Sequence, residues 1–284
     1  MTLNRRCAVD VFWNLATLMD DFVLELPFSQ LPADALWSGY LPKGSRVCLP
    51  LGRGRSLAEV TGAAARIVAA GMRPVVAVAA PDPAESRRFD RALGEFADIG
   101  ARELVMVWPA AMSAAETLDG LTRVVHRCDP GGKGIRDIGV ASGGHGVASG
   151  GHELSADLLR AFEDASAACI DSGVGVALLT SLVRSVEQVV EWEHSLRAAS
   201  NLFRIRARLP GIAASPFRRT VPALLGMAAA AQTDPGCLIS EVQFVLRGSA
   251  ERTAAFANQI RRGNFVIEDS EYGYRLSMLR ERKV

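Results

Sequence analysis

Eight short apolar runs, rich in β-branched residues, recur along the chain at 22–27, 46–51, 74–79, 103–108, 135–141, 175–180, 202–208 and 241–246. Near-continuous apolar character, as in Val75-Val76-Ala77-Val78-Ala79, suits strands buried on both faces, which is how parallel strands lie. Between the runs are Ala-, Leu-, Arg- and Glu-rich stretches of helical periodicity, at 56–70, 84–99, 185–199 and 249–262. The first opens with Ser56 and Glu59 in the spacing of a capping box, and Gly71 follows its end. Gly100 and Gly263 close two of the others. Strands alternating with helices of this length demand a parallel sheet with right-handed crossovers. Eight such units close on themselves, so the predicted fold class is α/β: a single (β/α)8 TIM barrel spanning 1–284. An extra N-terminal helix is expected over 1–21, and a short C-terminal extension over 264–284 that reads as a strand, a hairpin or a partner-binding tail. A doubly wound open sheet is the alternative, but it needs a phosphate-binding glycine loop that the chain does not display.

Composition narrows the function classes. With 32 basic and 31 acidic residues the formal charge is +1, which argues against a general nucleic-acid binder. Arg204, Arg206 and Arg208 alternate along one strand and therefore point the same way, towards a small anionic ligand or towards solvent. Five scattered cysteines without a C-x-x-C pair speak against disulfides or a zinc site and for buried thiols in a reducing cytoplasm. Arg5 and Arg6 are followed by Asp10, Asn14, Asp20 and Asp21, which reads as neither a signal peptide nor a membrane span.

Four features are candidates for chemistry. Glu25 sits inside the first apolar run, where desolvation favours a protonated carboxyl suited to general-acid work. The competing reading is a strand-end carboxylate paired with an arginine of the barrel. The run 140–153 repeats Val-Ala-Ser-Gly-Gly-His after the fifth strand, ending in His145 and His152. Its glycines let backbone approach a ligand and its imidazoles bring titratable nitrogens, although a plain flexible loop would look the same. Thr180 and Ser181 end the sixth strand, where hydroxyls can meet a substrate or simply cap a turn. Leu209-Pro210-Gly211-Ile212 follows the seventh strand. His126 and His194 lie in helical patterns and read as surface residues.

In order and spacing these pieces resemble the methylenetetrahydrofolate reductase family. The resembling segments are Glu25-Leu26-Pro27-Phe28, the Gly-x-x-Pro-Val of Gly71 to Val75, Gly100 to Val105, Ile138-Gly139-Val140-Ala141 with its following Gly-Gly-His, Leu178-Leu179-Thr180-Ser181, Trp192 with Leu196-Arg197, and Leu209-Pro210-Gly211-Ile212. The resemblance implies an oxidoreductase interconverting 5,10-methylene- and 5-methyltetrahydrofolate, with Glu25 as general acid on the pterin. It implies a tetrahydrofolate site at Thr180, Ser181 and Arg247, and a cofactor side at His152, Asp157 and Trp108. The hydride would come from NADH or NADPH. FAD binding is expected to be weak or absent, because the family's polar flavin contacts read here as Val76-Ala77 and Trp108-Pro109-Ala110, and Trp108 is bulky enough to fill flavin space. A non-catalytic folate-binding or partner-dependent barrel is the alternative.

Overall fold

A computed structural model describes residues 18, 22–28, 31, 41–50, 56–81, 85–109, 111–142, 156–182, 193, 197, 203–210, 239–245, 250–261, 265–270 and 273–278. Each of the eight apolar runs overlaps a strand: β1 (Val23–Glu25), β2 (Arg46–Leu49), β3 (Arg73–Ala79), β4 (Glu103–Trp108), β5 (Asp137–Ser142), β6 (Gly175–Leu182), β7 (Arg204–Pro210) and β8 (Ile239–Val245). All neighbouring pairs are parallel, and β1 pairs with both β2 and β8, so the sheet closes into the predicted (β/α)8 barrel.

Period-two alternation sorts the strand side chains into two layers. Val23, Cys48, Val75, Ala77, Val105, Ala141 and Leu179 form one buried cluster, with Val107 packed on it. The residues between them, such as Leu24, Val47, Val76, Leu104, Met106, Val140 and Leu178, join the larger cluster that the helices cover. The first set fills the barrel; the second glues it to its jacket.

That jacket includes α1 (Leu57–Ala69), α2 (Ser86–Asp98), α3 (Ala114–Cys128), α4 (Ala156–Asp171) and α5 (Ala250–Arg261). The anticipated capping box at the start of α1 is present, with Ser56 and Glu59 bonding reciprocally. A second one, Ser113 with Glu116, starts α3. Gly71 and Gly100 follow α1 and α2 at φ +78° and +89°, a backbone region that side chains other than glycine resist.

Past the barrel, β9 (Phe265–Ser270) and β10 (Gly273–Met278) pair antiparallel as a separate hairpin, which selects one of the three options for the extension. Of the expected N-terminal helix only Leu18 lies within the described residues, helical and buried. Of the expected helix over 185–199 only Glu193 and Arg197 do, both helical, with Arg197 Nε 3.5 Å from Glu193 Oε1. Among the described residues no helix is long and apolar enough to cross a membrane.

Candidate active site inside the barrel

Strand register brings charged side chains from distant parts of the chain to the barrel axis. Arg46 opens β2, Glu103 opens β4, Asp137 opens β5, Arg204 and Arg206 stand on β7 and Glu241 on β8. Arg46 Nη1 lies 3.2 Å from Glu103 Oε2 and 3.1 Å from Glu241 Oε2. Arg206 donates from Nε to Glu241 Oε2 at 2.7 Å and from Nη2 to Glu103 Oε1. Arg204 reaches Glu241 Oε1 at 2.8 Å and pairs with Asp137 through its other nitrogen. Three guanidiniums thus meet three carboxylates, and the lattice is neutral. Burial on its own would lower the Arg206 guanidinium, but Glu103 and Glu241 outweigh it and hold it above its ordinary value. Burial likewise pushes the Glu241 carboxyl up, yet Arg206, Arg46 and Arg204 together bring it net below the usual carboxylate range.

One step further along the strands stands a second group. Arg208 Nη2 is 3.1 Å from Glu25 Oε2, and the same oxygen accepts from Gln243 Nε2 at 2.6 Å. Glu25 ends β1 and pairs in register with Cys48 and Val245, so the trio lies above the lattice in the carboxyl-terminal direction of the strands. The Glu25 and Arg208 side chains keep 13% and 26% of their exposure, whereas the Arg206 side chain keeps none. Among the described residues the interior is most closed at Arg46, Glu103, Arg206 and Glu241, while Arg204 with Asp137 on one side and Arg208 on the carboxyl-terminal side keep partial exposure. In a barrel of this type the carboxyl-terminal face carries the chemistry. A carboxylate beside a guanidinium offers a proton acceptor and a fixed positive charge within one small substrate's reach.

Among the described residues, no lysine enters the interior to serve as a Schiff-base amine. The chain has three lysines. Lys43 precedes β2, and Lys133 follows α3, where it binds Asp90 at 2.7 Å and the Cys128 carbonyl. The third, Lys283, lies outside the described residues. Nor do three His, Cys, Asp or Glu side chains converge on a metal position among the described residues.

The buried thiols carry no reactive character. Burial, followed by the nearby Glu25 carboxylate, raises Cys48 well above the normal thiol range, and burial alone pushes Cys169 up to about 12. Cys128 is raised as well, by burial and then Asp90. Thiolate is the nucleophile, so Cys48, Cys128 and Cys169 should resist iodoacetamide in the native protein and label only on unfolding, as peptide mapping by mass spectrometry would report.

The sequence-derived candidates fare unequally. Glu25 does face the interior, in the paired arrangement of the two readings: its carboxyl is ion-paired to Arg208. Arg204, Arg206 and Arg208 do share one side, and each pairs with a protein carboxylate. Trp108 faces the helix layer. It alternates with Val107 and shares the side of Leu104 and Met106, so its indole is buried between β4 and α3, away from the interior. A Cβ on Gly120 of α3 would stand 2.5 Å from Trp108 Nε1. The same indole lines an outer cavity of about 240 Å³ with Ser86, Arg123 and Arg127, which Glu25 does not touch. Asp157 is exposed in the first turn of α4. Thr180 and Ser181 are strand residues of β6, their side chains outside the description. His145, His152, His194, Arg247 and the loop 143–155 also lie outside the described residues, whereas His126 is exposed on α3, as expected.

Arg46, Glu103, Glu241 and Gln243 were not singled out from sequence. A signal existed: three of them are charged residues at or near the start of an otherwise apolar strand, on the inward parity.

No family model and no curated protein matches the chain. Solved structures do. A putative phosphonomutase from Burkholderia cenocepacia J2315 aligns at 12% identity over 84% of this chain and 92% of its own, with a TM-score of 0.49. A deoxyribose phosphate aldolase from Aeropyrum pernix aligns at 12% identity over 90% and 98%, also at 0.49. A β-mannanase from Thermomonospora fusca aligns at 11% identity over 82% and 81%, at 0.49. Likeness at this level extends to the barrel and no further. The resemblance to methylenetetrahydrofolate reductases, and the folate oxidoreduction it implied, is corrected here: no family model matches the chain, and the interior offers a salt-paired Glu25 with Trp108 turned outward.

Proposed function

We propose that this chain is a barrel enzyme performing general acid–base chemistry on a small polar molecule at the carboxyl ends of its strands. Glu25 carries the proton, and Arg208 holds the oxygen on which negative charge resides or develops. The observation behind this reading is the Glu25–Arg208–Gln243 trio on the carboxyl-terminal side of the strands, with Arg208 26% exposed above the fully buried Arg206. Glu25 accepts from both Arg208 and Gln243, so its carboxyl plane is oriented before any substrate arrives. The arrangement suits proton abstraction or donation next to an oxyanion, which Arg208 would stabilise.

The test is a thermal-shift screen of small hydroxy acids, keto acids and phosphate esters on wild type, Glu25→Gln and Arg208→Met. A ligand at a hundredfold excess over its Kd adds about 2.7 kcal/mol, a shift of several degrees. The expected result is an anion that stabilises wild type and Glu25→Gln but not Arg208→Met, and that only wild type turns over. Equal stabilisation of all three proteins would place the site elsewhere.

A further inference from the structure

Among the described residues, the buried polar atoms of the barrel interior without a hydrogen-bond partner include Gln243 Oε1 and Arg206 Nη1. Their residues are 1% and 0% exposed. Both face inward from adjacent strands, and the register Arg206↔Glu241 and Arg208↔Gln243 makes them diagonal neighbours. Their roles are chemically committed. Gln243 donates from Nε2 to the Glu25 carboxylate, which can only accept, so Oε1 must be the acceptor end of the amide. Arg206 grips Glu241 with the edge formed by Nε and Nη2, so Nη1 is a donor on the opposite edge. Whatever sits between them must donate to one and accept from the other. A halide or an unprotonated phosphate oxygen cannot donate, and an ammonium cannot accept. A hydroxyl does both, and in a sealed interior the hydroxyl small enough to enter is water.

We propose that one long-lived internal water bridges Gln243 Oε1 and Arg206 Nη1, joining the Glu25–Arg208 site to the buried salt lattice beneath it. The inward Cys48 thiol, within electrostatic reach of Glu25, Arg206 and Arg208, walls this part of the interior from β2. The hydrogen-bonded chain then runs from Glu25 through Gln243 and the water to Arg206, and on to Glu103, Glu241 and Arg46. In this arrangement Gln243 cannot swing away from Glu25 without breaking a bond at both of its ends. The idea rests on the proposed role of Glu25 only for its consequence; the water itself is read without any substrate.

The experiment is a crystal structure of the wild-type protein at a resolution that places waters, together with water–amide cross-relaxation NMR on protein labelled at glutamine nitrogens. The expected result is a water within hydrogen-bond distance of both atoms, and a slowly exchanging Gln243 side-chain amide with cross-peaks of the sign that marks a long-resident water. In Gln243→Met, similar in size but unable to accept, that amide and its cross-peaks should vanish, while the fold persists by circular dichroism. A direct bond between Gln243 and Arg206, an empty gap, or rapid exchange of the Gln243 amide in wild type would overturn the proposal. Failure of the ligand screen would leave these readouts unchanged, so the two ideas fall separately.

Discussion

Replacing Arg206 by Met should cost about 3–5 kcal/mol of stability, because it leaves carboxylates buried without their main cation. Arg206 is fully buried and serves both Glu103 and Glu241. Arg46 and Arg204 remain near Glu241, so the loss stays short of the cost of a wholly isolated charge. For a chain of this size each kcal/mol moves the midpoint by about 2–4 °C, so a fall on the order of 10 °C is expected by differential scanning fluorimetry. The effect carries a pH signature. The folded Glu241 carboxyl lies below its ordinary value, so the stability it contributes is complete above the unfolded carboxylate pKa of about 4.3 and fades as pH falls through the lower folded value. The gap between wild type and variant should therefore be widest near neutrality and narrow below about pH 4. Replacing Arg46, Glu103, Arg206 and Glu241 together by apolar residues of similar size should restore most of the loss, since such swaps are often neutral or stabilising. A single variant as stable as wild type at pH 7 would mean that the lattice is not sealed as described.

Gly131→Ala should be nearly as damaging, at about 3 kcal/mol, the upper end of the range for overpacking. Gly131 lies in the turn after α3, and a Cβ there would stand 1.7 Å from the carbonyl oxygen of Ser172 in the α4–β6 turn. Backbone, unlike the end of a long side chain, cannot step aside cheaply. The two turns are also tied by Ser172 Oγ, which donates to Asp129 Oδ1 at 3.0 Å, and Asp129 itself ends α3 at φ +38°. Pushing Ser172 away strains this clasp at the amino-terminal end of the barrel. Gly94→Ala, in the interior of α2 with nothing within 4 Å of the new carbon, is the control. It should gain a few tenths to about 1 kcal/mol from helix propensity. Urea denaturation of both variants would measure the contrast, and equal midpoints would show that the Ser172 clasp yields.

The eight strands and their closure into a parallel barrel were legible in the sequence pattern. Apolar β-branched runs and period-two alternation are local properties, and local sterics read them directly, which is why Glu25 and the three arginines of β7 were identifiable as one-sided residues. Only the tertiary structure decided what those side chains meet. Glu25 and Gln243 are 218 residues apart and Arg206 and Glu103 are 103 apart, so their contacts exist only once the barrel closes in a particular stagger. Trp108 makes the same point in reverse. The resemblance put it on the cofactor side, but its parity on β4 turns it to the helix layer. A bare acid and a paired acid have the same letter in the chain; the closing register supplies the partner and so decides between them.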